Sequence, residues 1–158
     1  MKPTFLFLAA LLACAASTDA QTMSYGTPIT ADTAKKIAAP AIAEARKNNW
    51  TMAIAIVDTS GELVYFERMD DTQIGSVDVA ISKARSAARF KRPTKAFQDA
   101  LAAGGEGLRI LALNGAIPVD GGLPLVAGGK IVGAIGASGG TSAQDGQVAA
   151  AGAAVLGK

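Results

Sequence analysis

Apolar residues recur at helical spacing in three long segments of the chain. Residues 30–49 carry a single apolar stripe that Thr30 is placed to cap, and Pro40 predicts a kink or a break within this helix. Residues 76–90 form the clearest helix, and residues 142–158 form a last one that is rich in alanine. In the 76–90 helix we expect a buried side and a solvated side, made respectively of Val77, Ile81, Ala84 and Ala88, and of Asp78, Ser82, Arg85 and Arg89.

Two other parts of the chain have the pattern of β-hairpins. Residues 51–58 are apolar on both faces, which is typical of a central strand, and residues 62–68 return after a short turn as its partner. Residues 123–137 predict a second pair of strands around a Gly128-Gly129 turn. Hairpins this short require antiparallel pairing.

The segment between the two hairpins has a weaker pattern. Residues 92–101 predict a short helix capped by Thr94, and residues 102–122 predict a loop with one or two short apolar pieces. The resulting order is approximately α-β-β-α-α-β-β-β-α. No repeat or linker divides it, so we expect one domain in which helices pack on an antiparallel sheet.

The first twenty residues have the features of an export signal. Lys2 precedes an apolar run, and the run is followed by a small-x-small ending at Ala20. We therefore expect cleavage after Ala20, a mature domain of residues 21–158, and a periplasmic or secreted protein. An alternative is that residues 11–14 form a lipoprotein signal and that Cys14 carries the lipid. The apolar run is too short to span a membrane, which takes about 20 residues.

Composition limits the chemistry that the chain can support. It contains no histidine, and Cys14 is its single cysteine, so a zinc site built from imidazole and thiolate is excluded. The net charge is +2 and no basic run is present, which gives no support to nucleic-acid binding. Any metal would need carboxylate or carbonyl ligands, or a cofactor that brings its own metal.

Residues 136–140, GASGG, match the pattern of a nucleophile elbow, with Ser138 in the place of the nucleophile. A serine of this kind needs a base, and without histidine only a Ser-Lys arrangement with Lys83 or Lys130 remains. We interpret the stretch as a tight turn into a helix that Thr141 or Ser142 caps. A serine hydrolase is not expected. Any other catalysis would rest on Asp70, Asp145, Lys83 or a bound cofactor, and because the sequence shows no paired carboxylates, an enzyme is the less favoured interpretation.

Four motifs in a fixed order resemble the family of the glycolate-utilisation protein G and the secreted haem-binding proteins. They are AIAIVDTSGELVYFERMD (53–70), SVDVAISKARSAARFKRPT (76–94), GAIPVDGGLPL (115–125) and GKIVGAIGASGGTSAQD (129–145). The resemblance covers nearly the whole mature chain. It implies a profilin-like, three-layer α/β/α sandwich with an antiparallel sheet of about five strands, a tendency to form homo-oligomers, and haem binding in some members.

The resemblance also indicates candidate ligand-binding residues. The family's R-M-D is found here as Arg68-Met69-Asp70, although Asp71-Thr72 follow where the family has Gly-Ala. Lys83 matches its K-A pair, and the remaining matches lie in its G-G-x-P loop and its last strand-to-helix loop. The full set is Arg68, Met69, Asp70, Lys83, Gly121, Gly122, Pro124, Ser138, Gly139, Gly140 and Thr141.

We expect the four segments that hold these residues to converge on one pocket. Lys83 falls at the border of its helix's apolar stripe, where a lysine either snorkels to solvent or lines a pocket. Haem is the first candidate ligand, and without histidine its axial ligand would come from Tyr25, Tyr65, Met23, Met52 or Met69. The alternative is a small organic acid bound without haem, with Arg68 and Lys83 pairing with its carboxylate. For Arg68 and Asp70, an internal ion pair within a structural turn is the competing interpretation.

Overall fold

The computed structural model describes residues 23–157. The predicted signal peptide, its cleavage site and Cys14 lie outside the described residues. The elements follow in the order α1 (Ala31–Lys47), β1 (Ala53–Val57), β2 (Leu63–Arg68), α2 (Ser76–Phe90), α3 (Thr94–Ala102), a 3-10 helix (Gly105–Ala112), β3 (Gly122–Ala127), β4 (Lys130–Ser138) and α4 (Ser142–Ala153). Within residues 23–157, no helix has both the length and the apolarity needed to cross a bilayer.

The helix ends follow the local sequence. The Thr30 hydroxyl accepts a hydrogen bond from the Thr33 amide (3.3 Å) and caps α1, which continues through Pro40 without a break and ends at Lys47, with Asn48 as its C-cap. Thr141 and Gln144 form a reciprocal capping box at the start of α4. The predicted cap at Thr94 is wrong, because Thr94 is the first residue inside α3. Its hydroxyl instead accepts a hydrogen bond from the Gly122 amide (2.9 Å).

The described residues form one antiparallel sheet of four strands in the order β2-β1-β4-β3. Both predicted hairpins are present, and Gly128 and Gly129 turn the second one with positive φ values of 55° and 73°. The predicted count of about five strands is one too high. The apolar piece expected to form a further strand lies in the 3-10 helix, where Ile110 alone is buried.

Helices cover both faces of this sheet. On one face α1 and α4 pack large side chains such as Ile37 and Val148 against Ile54, Ile56 and Ile135. On the other face α2 packs against the small side chains of β1 and β4, chiefly alanines. The predicted three-layer α/β/α sandwich is confirmed.

The buried side of α2 differs from the predicted one. Val77 and Ile81 are only half-buried, whereas the fully buried positions are centred on Ala80, Ala84 and Ala87. The helix is rotated so that its smallest side chains face the sheet, which allows the backbones to approach closely. Lys83 belongs to this buried group.

Candidate functional site

Lys83 lies in the interior, between α2 and the end of β4. It is one of the largest fully buried side chains, with no exposed surface. Its Nζ donates to Asp145 Oδ2 at 2.7 Å and to the Ala137 carbonyl oxygen at 3.1 Å. The prediction that Lys83 snorkels or lines a pocket at the border of the stripe is therefore wrong, because a carboxylate from α4 satisfies the charge inside the protein.

Gly121, in the loop before β3, and Gly122, the first residue of β3, close over this ion pair. Gly121 has φ +118°, and a Cβ built on it would lie 2.9 Å from the Lys83 Nζ and 2.7 Å from the Asp145 Cβ. A Cβ on Gly122 would lie 2.4 Å from the Lys83 carbonyl oxygen. Neither position has room for a side chain, so these glycines are required by close packing. Pro124 lies further along, in the edge strand β3, and is half-buried.

The strand-to-helix loop at residues 138–141 joins the same cluster. The Gly140 amide donates to Asp145 Oδ1 at 3.0 Å, so Asp145 accepts from this loop and from Lys83. Ser138 is buried, and its hydroxyl oxygen lies 3.2 Å from that of Ser76. Burial raises the pKa of the Asp145 carboxyl and outweighs the hydrogen bonds from Lys83 and Gly140, which lower it.

Three of the four predicted segments are thus brought together, around Lys83 and Asp145. They form a packed cluster rather than an open pocket. The fourth segment, Arg68–Asp70, lies at the end of β2 and lines a separate cleft. The role of all these residues in ligand binding stays a prediction.

The cleft at the end of β2, which we call the β2 cleft, has a volume of about 300 Å³. It is lined by Arg46, Glu67, Arg68, Met69 and Asp70. Within the described residues, Arg46, Arg68 and Asp70 take part in no ion pair, so the expected alternative of an Arg68–Asp70 pair in a structural turn is wrong.

A second cleft of about 230 Å³ adjoins the β2 cleft and shares Arg46 and Glu67 with it. Its other lining residues come from α1 and β2 and are Lys35, Ala39, Ile42 and Tyr65. The Tyr65 hydroxyl donates to Glu67 Oε2 at 2.7 Å, and this hydrogen bond raises the pKa of Tyr65. The Glu67 carboxylate therefore already has a partner.

The largest of the three clefts lies between α3 and the 3-10 helix and measures about 410 Å³. We call it the α3 cleft. Phe97, Ile110 and Leu113 provide apolar walls, and the charged lining residues are Arg92, Arg109 and Glu106. Beside it, Leu108 and Leu111 are 55% and 70% exposed. Sequence reasoning missed this site, although the signal is present in GEGLRILAL, where glycines and an arginine interrupt an apolar run.

The candidate axial ligands are mostly engaged elsewhere. The Tyr25 hydroxyl donates to the Ala88 carbonyl oxygen at 2.9 Å, Tyr65 donates to Glu67, and Met52 has no exposed surface. Met23 and Met69 are half-buried, and Met69 lines the β2 cleft. In the part of the chain that the structure describes, no group of three or more carboxylate or thiol side chains is placed to hold a metal ion.

The fold is a three-layer α/β/α sandwich with an all-antiparallel sheet, and a buried Lys–Asp pair lies between its layers. The model of the family described as haem degrading protein HbpS-like matches residues 29–154, and the chain belongs to this family. The resemblance expected from the four motifs is confirmed.

Individual relatives agree with this assignment. Protein GlcG of Escherichia coli K12 is 40% identical over 95 residues, which cover 60% of this chain and 69% of GlcG. A 15.0 kDa protein of Citrobacter freundii, from the dhaT-dhaS intergenic region, is 35% identical over 119 residues, 74% of this chain and 84% of its own. The crystal structure of a double mutant of Streptomyces reticuli HbpS has a TM-score of 0.77 and 30% identity, and the match covers 99% of this chain and 100% of that one.

Proposed function

We propose that this protein is an exported binding protein that holds haem in the α3 cleft. The observation that carries the proposal is the pairing of apolar walls with two guanidinium groups in one cleft of about 410 Å³. Haem is a flat apolar ring with two carboxylates, so it needs this combination. The family's description as haem degrading supports the same ligand.

The residues of the cleft fit the ring and its propionates. Nε of Arg92 donates to the Phe90 carbonyl oxygen at 3.1 Å, and its guanidinium carbon lies 5.6 Å from the centre of the Phe97 ring. Arg109 Nη1 lies 3.3 Å from Glu106 Oε2 in a well-exposed pair. Exposed pairs of this kind contribute little to stability, so Arg109 can exchange Glu106 for a propionate.

The fit to the iron is weaker than the fit to the ring. No tyrosine or methionine lines the α3 cleft, and Met69 lies in the β2 cleft. The protein would hold haem by apolar contact and charge, and bound haem would supply a redox-active iron. Arg92 and Arg109 would position the propionates, while Phe97 and Ile110 would exclude water from the ring.

The test is a titration of the purified protein with haemin, followed by the Soret band. We expect saturation at a defined stoichiometry, with binding at least about tenfold weaker when Arg92→Gln and Arg109→Gln are combined, because two charge-assisted contacts are lost. Arg46→Gln, outside the α3 cleft, is the matched control and should bind as the wild type does. Non-saturating binding, or equal binding by all three proteins, would contradict the proposal.

Export and self-association belong to the same proposal. The N-terminal pattern predicts a mature chain beginning near Gln21 in the periplasmic fraction, and the family resemblance predicts a homo-oligomer. Mass spectrometry and light scattering of the mature protein test both. Lipid attached to Cys14 would replace the periplasmic assignment by an anchored one, and a monomer at all concentrations would exclude the oligomer.

The alternative function is binding of a small organic acid without haem. The β2 cleft is the candidate site for it, since Arg46 and Arg68 are among its lining residues and neither takes part in an ion pair within residues 23–157. A protein that leaves the Soret band unchanged but gives saturable heat with a carboxylate would establish this alternative.

A further inference from the structure

Within residues 23–157, the α3 cleft is lined by no side chain of a type that commonly ligates haem iron. The usual axial ligands are histidine, cysteine thiolate, methionine and tyrosine. The chain contains no histidine, and its single cysteine, Cys14, lies outside the described residues. Apart from alanines and glycines, the lining consists of Arg92, Phe97, Glu106, Arg109, Ile110 and Leu113.

The polar groups of this lining are poor ligands for the iron. A guanidinium is a permanent cation that only donates hydrogen bonds, which excludes Arg92 and Arg109. The Glu106 side chain is 88% exposed, and its Oε2 lies 3.3 Å from Arg109 Nη1. A carboxylate is also not among the usual axial ligands of haem. Recognition in this cleft therefore depends on the apolar walls and the guanidiniums, which suit the ring and its carboxylates.

The tyrosines and methionines of residues 23–157 do not supply the missing ligand, because none of them lines the α3 cleft. Both tyrosine hydroxyls already donate hydrogen bonds within the protein, Tyr25 at 2.9 Å and Tyr65 at 2.7 Å. Met52 has no exposed surface, and Met69 lines the β2 cleft. A bond from one of these residues to the iron would require it to be brought from another part of the fold.

We propose that the α3 cleft recognises a tetrapyrrole ring and its two carboxylates and does not recognise the metal. This inference rests on the proposed function, because it concerns the same site. The ligand class is then a dicarboxylic porphyrin with or without iron. Metal-free protoporphyrin IX has the ring and both propionates of haem, so it should bind about as tightly as haemin. A site that ligates the iron would instead favour haemin, because protoporphyrin IX cannot form that bond.

The test is a fluorescence titration of the purified protein with protoporphyrin IX, followed by displacement with haemin. We expect complete displacement, because the two ligands share one site, and dissociation constants that agree within about threefold. Protoporphyrin IX dimethyl ester keeps the ring but has no carboxylates, and should bind at least about tenfold more weakly. Haemin that binds more than about tenfold more tightly than protoporphyrin IX overturns this inference and leaves the proposed function intact. Haemin that does not saturate the protein contradicts both.

Variants test whether the two ligands depend on the same side chains. Arg92→Gln combined with Arg109→Gln should weaken haemin and protoporphyrin IX by the same factor, because both ligands carry the carboxylates that the guanidiniums bind. Lys91→Gln combined with Lys95→Gln is the matched control, since it removes the same charge from the same region of the chain and neither lysine lines the cleft. This control should leave both affinities unchanged. A loss confined to one ligand, or an equal loss in the lysine control, contradicts the assignment.

Discussion

The two faces of the sheet are packed in different ways. The face under α1 and α4 is filled by side-chain volume, with Ile54, Ile56 and Ile135 at its centre. The face under α2 contains almost only alanine and glycine, and there the backbones themselves touch. A Cβ on Gly136 would lie 2.1 Å from the Ala80 carbonyl oxygen.

This difference determines where polar and charged side chains can lie on each face of the sheet. Close packing under α2 excludes water, so a charge there needs a partner within the protein, as Lys83 has in Asp145. At the rim of the other face, β2 and the end of α1 leave clefts that reach solvent. Clefts that a ligand can enter are therefore found at the rim, whereas Lys83 and Asp145 under α2 are buried.

The largest expected effect comes from breaking the buried pair under α2. Asp145→Ala removes the acceptor of both the Lys83 ammonium and the Gly140 amide inside the protein, and should lower the free energy of unfolding by about 3–5 kcal/mol. Urea denaturation of the mature protein measures it. The double variant Lys83→Met with Asp145→Ala should recover most of the loss. A single variant as stable as the wild type would show that water reaches this site.

On the opposite face, loss of side-chain volume should lower the free energy of unfolding somewhat less than loss of the buried pair does. Ile56 is fully buried, and Ile56→Ala removes its contacts and leaves a cavity, so we expect a loss of about 3 kcal/mol in the same denaturation experiment. Leu63→Ala is the control, because Leu63 is 45% exposed and its truncation should change stability by less than about 0.5 kcal/mol. Equal effects at both positions would mean that this face is not the core.

Addition of side-chain volume under α2 should lower the free energy of unfolding by about 1–3 kcal/mol. In Gly136→Ala the new methyl group meets the backbone of Ala80, which cannot rotate away. Gly75→Ala, just before α2, is the matched control. It has nothing within 4 Å of the new Cβ and no positive φ, so the substitution should be neutral or slightly stabilising. If Gly136→Ala is tolerated equally well, α2 does not lie as close to the sheet as described.

The smallest expected effect is a pH dependence at Asp145. Burial raises its pKa above the ordinary value of 3.8, so the folded protein binds this proton more readily than the unfolded chain. The stability that protonation of Asp145 contributes is fully present below pH 3.8 and is lost as the pH rises through the raised pKa. Relative to Asp145→Asn, the wild type should therefore gain stability as the pH falls through this window. Urea denaturation of both proteins at a series of pH values measures the difference, and the opposite slope would show that the Lys83 charge dominates over burial.

Local patterns predicted most of the fold. The ends of α1, both hairpins and an N-cap at Thr141 or Ser142 follow from signals within a few residues of one another, whereas the three layers were implied by the family resemblance. In place of the expected further strand the chain forms the 3-10 helix Gly105–Ala112, which begins where Gly104 and Gly105 have φ values of 69° and 54°.

The candidate sites were less predictable because they depend on partners distant in sequence. A helical hydrophobic pattern predicts that a lysine lies at the surface. Nothing near Lys83 in the sequence indicates that Asp145, 62 residues away, pairs with its charge inside the protein. Arg46 of α1 and Glu67 of β2 line the same two clefts only after α1 has packed beside β2. The α3 cleft requires the 3-10 helix to fold back on α3. These relationships are properties of tertiary packing.

The strand order also has a consequence for how the chain can be divided. The centre of the sheet is the β1–β4 pair, which joins Ala53 to Ser138 across the whole of α2, α3 and the 3-10 helix. A cut in the exposed stretch around Asn114 would give two fragments, one with α1 to the 3-10 helix and the other with β3, β4 and α4. Each fragment would expose one unpaired edge of this central seam. Mixing the two should therefore restore the sheet by complementation, with each half supplying the missing neighbour of the other.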